Sequence, residues 1–159
     1  MTDDSYQMKI QYFLTDPKML LTMLDFFLGD HIGSGCSRDV YEYNLDNKYV
    51  VKIENKEARG DNWAEWRIWE TVMHTEHKKW FAECTWISDC GRIMLQRRTT
   101  PLSQKNKPEK VPLYFTDLKM SNFGTIGKQV VCHDYSYCIE MFGTYGMTKR
   151  MQKFKCHDE

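Results

Sequence analysis

The stretch Asp117-Leu118-Lys119-Met120-Ser121-Asn122 decides the fold, together with the Asp134 that follows it in Val131-Cys132-His133-Asp134. Transfer of a phosphoryl group needs a carboxylate that orients or deprotonates the attacking hydroxyl, and oxygen ligands that hold a metal ion against the phosphates. Asp117 can fill the first role, and the side chains of Asn122 and Asp134 can fill the second. The segment therefore predicts a phosphoryl-transfer site.

Length and charge limit what the rest of the chain can be. The 159 residues are one domain by ordinary expectation, and 22 basic side chains balance 22 acidic ones. No overall field recruits nucleic acid or an anionic membrane. The start, Met1-Thr2-Asp3-Asp4, has no basic region before an apolar run, and the apolar stretch at 19–28 is too short to span a bilayer. We expect a soluble, cytoplasmic protein.

The six cysteines include no Cys-x-x-Cys pair. A zinc cluster of Cys132, His133, Cys138, Cys156 and His157 fits no standard ligand spacing. We therefore expect the thiols to be reduced and mostly buried.

The N-terminal part predicts a helix. Asp16-Pro17 suits a helix start, the leucines and Phe27 form an apolar face, and Gly29 suits the stop. We expect this helix to act as a brace on the sheet that follows.

Two strands, 40–45 and 48–53, flank the turn Asp46-Asn47 and predict a hairpin. Gly33 and Gly35 precede it and free the backbone to approach phosphates closely. Period-two alternation places Val50 and Lys52 on one face, so that an apolar side chain and a cation line one cleft. A surface lysine is the alternative for Lys52.

Residues 62–74 predict a helix with Trp66, Trp69 and Val72 in a buried stripe. Glu65 or Glu70 on this helix can pair with Lys52. We favour Glu65 because it precedes Trp69 by one helical turn and can share its inward edge.

Two further hairpins follow. Segments 81–87 and 92–96 flank Asp89-Cys90-Gly91, and segments 123–126 and 129–132 flank Gly127-Lys128. Residues 99–110 are polar and contain two prolines, which indicates a connector. The last hairpin would bring Asp134 beside the loop that carries Asp117.

The chain resembles the protein-kinase-like family over about residues 32–136. The features that carry the resemblance occur in the family's order: glycine loop, hairpin lysine, helix glutamate, Asp-Leu-Lys-x-x-Asn and a later Asp. The resemblance implies an α+β fold: a minimal protein-kinase-like fold with an antiparallel N-lobe sheet, one main helix and a strongly reduced C-lobe. It also implies one domain over 1–159, with a helical brace at 1–29, the N-lobe at 30–98 and the reduced C-lobe at 99–159.

The resemblance also implies roles for individual residues, with ATP and Mg²⁺ as cofactors. Asn122 and Asp134 would bind Mg²⁺, and Lys119 resembles the serine/threonine branch of the family. The catalytic set would be Asp117, Lys119, Lys52 and Glu65. The nucleotide-binding set would be Gly33, Ser34, Gly35, Val40, Val50, Lys52, Leu95, Gln96 and Arg97. In this set the two valines sandwich the base, Leu95 lies at the back, and Gln96–Arg97 offers backbone hydrogen bonds.

Several positions depart from the family pattern. Phe115-Thr116 stands in place of His-Arg, Arg38 stands near the third loop glycine, and Tyr135-Ser136 replaces Phe-Gly. Only residues 137–159 follow in this sequence, so we expect it to contain no activation segment and no peptide-docking lobe. The Glu-Trp-x-x-Trp helix and the His-Asp-Tyr ending resemble short kinase-like proteins of tailed bacteriophages, which implies the host cytoplasm as location.

Two functions remain open. In the first, the chain is an ATP-dependent phosphotransferase that resembles a minimal serine/threonine kinase and acts on a protein substrate. In the second, it is a pseudokinase-like interaction module that binds and regulates a host protein without phosphoryl transfer. The basic tail 149–155 could contact an acidic partner, although a solvated helix end is the expected form.

Overall fold

An antiparallel five-stranded sheet forms the first half of the computed structural model, which describes residues 17–57, 59–138 and 149–155. A helix, α1 (Pro17–Phe27), leads directly into it. The strands are β1 (Leu28–Ser34), β2 (Arg38–Tyr43), β3 (Tyr49–Glu54), β4 (Cys84–Ile87) and β5 (Ile93–Arg97). Their order across the sheet is β1-β2-β3-β5-β4. The two hairpins expected from alternation and turn residues are thus confirmed.

The glycine at position 29 does not end a helix, as the sequence had suggested. Helix α1 ends at Phe27, and β1 runs through Gly29. A Cβ atom on Gly29 would lie 2.6 Å from Asn44 Oδ1, so the glycine permits close approach of two strands rather than a helix stop. The expected cap, Asp16, lies outside the described residues.

The main helix, α2 (Asp61–Val72), packs against the sheet through Ile68, Trp69 and Val72. It ends two residues before the predicted boundary at 74. Its first turn is held by the carboxylate of Glu54, whose Oε1 accepts a hydrogen bond from the Asn62 amide at 2.8 Å. A group from strand β3 thereby fixes where the helix begins and which residues face the sheet.

Short elements build the second half. They are β6 (Thr100–Pro101), β7 (Lys110–Pro112), β8 (Phe123–Ile126), β9 (Gln129–Cys132) and β10 (Met151–Lys153). Strands β6, β8 and β9 form one sheet, and β7 pairs with β10. The β8–β9 hairpin has the predicted bounds. Within the described part of residues 99–155 there is no α-helix.

The expected solvated helix at 149–155 is wrong. Residues Met151–Lys153 form strand β10, and Phe154 is buried against Phe123 with their ring centroids 5.1 Å apart. Burial alternates along this strand, with Gln152 and Phe154 turned inward and Met151, Lys153 and Lys155 exposed. An apolar side chain buried beside a core aromatic outweighs the solvation of the neighbouring lysines.

One aromatic core joins the two halves. These core aromatics are each no more than 3% exposed and contact one another edge-on, tilted or, between Phe81 and Tyr114, stacked: Phe81, Tyr114, Phe115, Phe123 and Tyr135. The result is an α+β architecture with an antiparallel sheet and one main helix, as expected. No helix in the described ranges combines the length and apolar character that crossing a bilayer requires.

Three of the described cysteines are buried and two are exposed. Cys84, Cys132 and Cys138 lie in the core, whereas Cys36 and Cys90 face solvent. All five are free thiols, and the described residues contain no cluster of three or more His, Cys, Asp or Glu side chains that could hold a metal ion.

Candidate active site

A buried ion pair joins the sheet to the main helix. Strand β3 presents Lys52 on its inner face, and α2 presents Glu65 one turn from its start. Lys52 Nζ lies 2.8 Å from Glu65 Oε2, with the two side chains 5% and 0% exposed. This is the pairing that the helix pattern favoured, whereas Glu70 faces solvent.

Glu65 collects four donors. Besides Lys52, they are Arg38 Nη2 at 2.9 Å, Gln96 Nε2 at 3.2 Å and the Tyr135 amide at 3.1 Å. Burial alone would raise the pKa of this carboxyl, but the charges of Arg38 and Lys52 outweigh it and lower the pKa to about 2. Glu65 is therefore an anion that fixes the position of both cations.

Asp134 lies beside this pair. Its Oδ1 accepts a hydrogen bond from Arg38 Nη2 at 2.7 Å, and its side chain remains 43% exposed toward the cleft. Partial withdrawal from water and the negative charge of Glu65 raise the pKa of Asp134, and the cations of Lys52 and Arg38 only partly offset this effect. A further positive charge at this point would stabilise the ionised form.

The loop of Asp117 and Asn122 is tied to Asp134 through the backbone. The Asn122 carbonyl accepts the amides of His133 and Asp134 at 2.9 and 3.3 Å, and Asn122 Nδ2 donates to the Asp117 carbonyl at 3.2 Å. All three predicted residues line one small pocket. Lys119 is half-exposed and places its Nζ 3.3 Å from Asp117 Oδ2.

His133 connects three parts of the site, and no pattern in the sequence indicated a role for it there. Its carbonyl accepts a hydrogen bond from Lys52 Nζ. Its ring lies between Thr99 Oγ1, 2.9 Å from Nδ1, and the Ser121 carbonyl, 2.8 Å from Nε2. Because a carbonyl only accepts, Nε2 carries the proton and Nδ1 accepts from the hydroxyl. The neutral imidazole fits this arrangement.

Protonation of His133 is expected to destabilise the fold. Burial, and next the charge of Lys52, lower its pKa to about 4. In the unfolded chain, the His133 ring binds this proton below the ordinary histidine pKa of about 6.5. The contribution of the neutral ring to the free energy of unfolding is therefore complete above about pH 6.5 and declines as the pH falls toward 4. Without added metal or nucleotide, we expect the free energy of unfolding, measured with urea, to fall by roughly 3 kcal/mol across this window.

A glutamine at this position tests the assignment. His133→Gln should flatten the pH dependence between about pH 6.5 and 4, whereas His74→Gln, at an exposed position just after α2, should leave it unchanged. If the free energy of unfolding falls equally with pH in both variants, groups other than His133 cause the acid sensitivity.

These groups surround an open cleft of about 860 Å³ beneath the β1–β2 turn. It brings together most of the predicted nucleotide and metal residues: Gly33, Ser34, Gly35, Val40, Val50, Lys52, Gln96, Arg97, Asn122 and Asp134. Glu65 lies behind Lys52 rather than in the wall. Asp117 lines the adjoining small pocket, and Lys119 lines neither.

The expectations for the back of the cleft need correction. Leu95 does not line it, because β5 alternates and the buried side belongs to Met94 and Gln96. The Arg97 amide donates to the Glu83 carbonyl at 2.7 Å, so it is already used inside the sheet. Gln96 contributes its side chain instead: Nε2 contacts Glu65, and the buried Oε1 has no hydrogen-bond partner among the described residues.

Arg38 is the main residue whose role in the site the sequence did not predict. Position 38 stood out only as a departure from a glycine, and its partners Glu65 and Asp134 lie far along the chain. Asn62, fully buried, is a second one: its Nδ2 donates to the Lys52 carbonyl at 3.3 Å, and its Oδ1 lies 3.5 Å from Arg38 Nη1. An asparagine at a helix start usually signals only a cap.

The oxygen donors near Asp134 fit a magnesium ion. Asn122 uses its amide nitrogen on Asp117, which leaves its Oδ1 for a cation, and Asp134 offers the carboxylate oxygen that Arg38 does not take. Mg²⁺ binds one or two carboxylate or amide oxygens and completes its shell with water and phosphate oxygens. Asn122 and Asp134 are the residues that would hold it.

Comparison with known proteins adds little to this geometry. No model of a known protein family matches the sequence, and no curated protein matches it. Among solved structures, the chain is similar to the streptomycin–ATP–APH(2")-IIa ternary complex, with a TM-score of 0.40 and 14% identity over 57% of this chain. The chain spans about a third of that protein's length, 34%.

Proposed function

We propose that this protein is an ATP-dependent phosphotransferase that resembles a minimal serine/threonine protein kinase. One observation carries the proposal: Lys52, which is held by the buried Glu65, borders the same open cleft as the glycine turn, Asn122 and Asp134. A cation held by a buried carboxylate, next to flexible backbone and hard oxygen ligands, is the combination that a triphosphate requires.

Different residues around the cleft would contact the different parts of ATP. Gly33 and Gly35 lie at the phosphate end, where Lys52, oriented by Glu65, reaches the α- and β-phosphates. Val40 and Val50 provide an apolar surface for the base. The amides of Arg97 and Arg98 donate within the sheet, so the base would find its backbone partners further along the connector.

The acceptor hydroxyl would enter from the side of Asp117. Its carboxylate, one third exposed, orients the hydroxyl and accepts its proton, and Lys119 neutralises charge on the transferred phosphoryl group. Asn122 and Asp134 hold Mg²⁺, which when bound supplies charge neutralisation at the phosphates. A protein serine or threonine is the proposed acceptor.

A second function has its own observation. Trp86 is 52% exposed and lies on β4, the edge strand of the main sheet. An exposed aromatic on an open strand edge is typical of surfaces that bind another protein. In this alternative the cleft is a scaffold, and the protein binds and regulates a host protein in the host cytoplasm without phosphoryl transfer.

Nucleotide binding tests the proposal first. Titration calorimetry of the purified protein with ATP and Mg²⁺ should show binding, and Lys52→Met should weaken it about 10- to 100-fold because one charge-assisted contact to phosphate is lost. Lys56→Met, at an exposed position just after the same strand, is the matched control and should bind as the unaltered protein does.

Transfer of label from ATP to protein distinguishes the two functions. Labelled product with the unaltered protein, reduced by Lys52→Met and not by Lys56→Met, supports the phosphotransferase. No ATP binding and no transfer, with a stably folded protein that forms a complex through the Trp86 face, contradicts it and supports the interaction module.

A further inference from the structure

Arg38 occupies an unusual place for an arginine. It is the first residue of β2, directly after the glycine turn, and its side chain is only 8% exposed. Instead of reaching solvent, it turns into the cleft, where one nitrogen, Nη2, contacts Glu65 Oε1 at 2.9 Å and Asp134 Oδ1 at 2.7 Å. A guanidinium stays protonated in proteins, so this is a permanent positive charge against the proposed metal ligand.

The four charges of the cluster around Arg38 balance without a metal ion. Lys52 and Arg38 supply two positive charges, and Glu65 and Asp134 supply two negative ones, all linked by contacts of 2.9 Å or less. Without Arg38, the same cluster would carry a net negative charge at Asp134. A divalent cation added to the existing cluster must displace Arg38 from one carboxylate oxygen or share the carboxylate with it.

We propose that Arg38 is an internal counter-cation that competes with the divalent metal ion for Asp134. It takes one of the two carboxylate oxygens and places positive charge at the phosphate end of the cleft, so that ATP binds with little dependence on Mg²⁺. Glu65 keeps the guanidinium in place when the contact to Asp134 is exchanged for the metal. The nucleotide part of this inference rests on the proposed function, whereas the competition for Asp134 does not.

Metal binding without nucleotide tests the competition directly. The probe is Mn²⁺, followed by the electron paramagnetic resonance signal of the free ion. Arg38→Met should bind Mn²⁺ at least about tenfold more tightly than the unaltered protein, because a neighbouring cation and its hydrogen bond are removed. Adding Asp134→Asn to Arg38→Met should cancel the gain. Arg67→Met, which removes an exposed arginine from α2, should show none.

A second measurement uses the unaltered protein and needs no variant to fold. Its affinity for ATP should change less than about threefold between Mg²⁺ and a chelator, since Arg38 already supplies charge at this point. In Arg38→Lys, which keeps a cation but cannot bridge both carboxylates with one planar group, the dependence on Mg²⁺ should increase.

The outcomes separate the two ideas. Equal Mn²⁺ affinity in Arg38→Met and the unaltered protein, or a gain that survives Asp134→Asn, overturns the competition even if ATP binds and phosphoryl transfer occurs. A loss of more than about tenfold in ATP affinity on chelation overturns the nucleotide part. Failure to bind ATP under any condition contradicts the phosphotransferase, while the Mn²⁺ titration still decides the role of Arg38.

Discussion

Glu65→Ala is expected to lower the free energy of unfolding by about 3–5 kcal/mol, the range observed when one partner of a buried charge pair is removed. Glu65 is completely buried and accepts hydrogen bonds from Lys52, Arg38, Gln96 and the Tyr135 amide. Its loss leaves Lys52, whose side chain is only 5% exposed, without its side-chain carboxylate partner. Arg38 keeps its contact with Asp134, so the loss in free energy of unfolding stays within this range.

Urea unfolding at neutral pH, followed by tryptophan fluorescence, measures this effect. Glu70→Ala is the matched control, because Glu70 lies on the same helix and faces solvent, so its change should stay within about 0.5 kcal/mol. Glu65→Gln keeps the shape and the hydrogen-bonding oxygen but not the charge. Its free energy of unfolding should therefore lie between those of Glu65→Ala and Glu70→Ala. A Glu65→Ala protein as stable as Glu70→Ala would show that the four contacts carry no net stability.

Local patterns predicted the parts of the site that lie within one or two neighbouring elements. The hairpin that carries Lys52 follows from alternation and a turn pair, and the face of Glu65 follows from helical spacing with Trp69. The β8–β9 hairpin brings Asp134 beside Asn122 by the same local logic. Each of these depends on short-range geometry that a sequence expresses directly.

Long-range contacts could not be predicted in this way. Arg38 and Asp134 are 96 positions apart, and nothing local to either indicates that one guanidinium bridges two carboxylates. The error at Leu95 has a different cause: a strand offers two faces, and a shift of one residue in the assumed parity moves a side chain out of the cleft. In the tail, pairing with β7 overrode the helical expectation, which tertiary contacts commonly do.

Asp117→Asn is expected to reduce phosphoryl transfer by about 10²- to 10⁴-fold, the usual contribution of a positioned general base or orienting carboxylate. The amide keeps the size of the side chain but cannot accept the hydroxyl proton. ATP affinity should stay within about threefold, because Asp117 lines the small pocket beside the nucleotide cleft and not the cleft itself. The rate of label transfer at saturating ATP is the measurement.

The Asp117→Asn protein must be as stable as the unaltered protein if its lower rate of transfer is to reflect the chemical step. The Asp117 carboxylate contacts Lys119 at 3.3 Å with both side chains at least one third exposed, so breaking this surface pair should cost less than about 1 kcal/mol. Asp89→Asn, in the exposed β4–β5 turn, controls for the change of charge and should transfer at the normal rate. If Asp117→Asn retains transfer within threefold while Lys52→Met abolishes it, the acceptor hydroxyl is activated by another group, and the assignment of Asp117 as base is wrong.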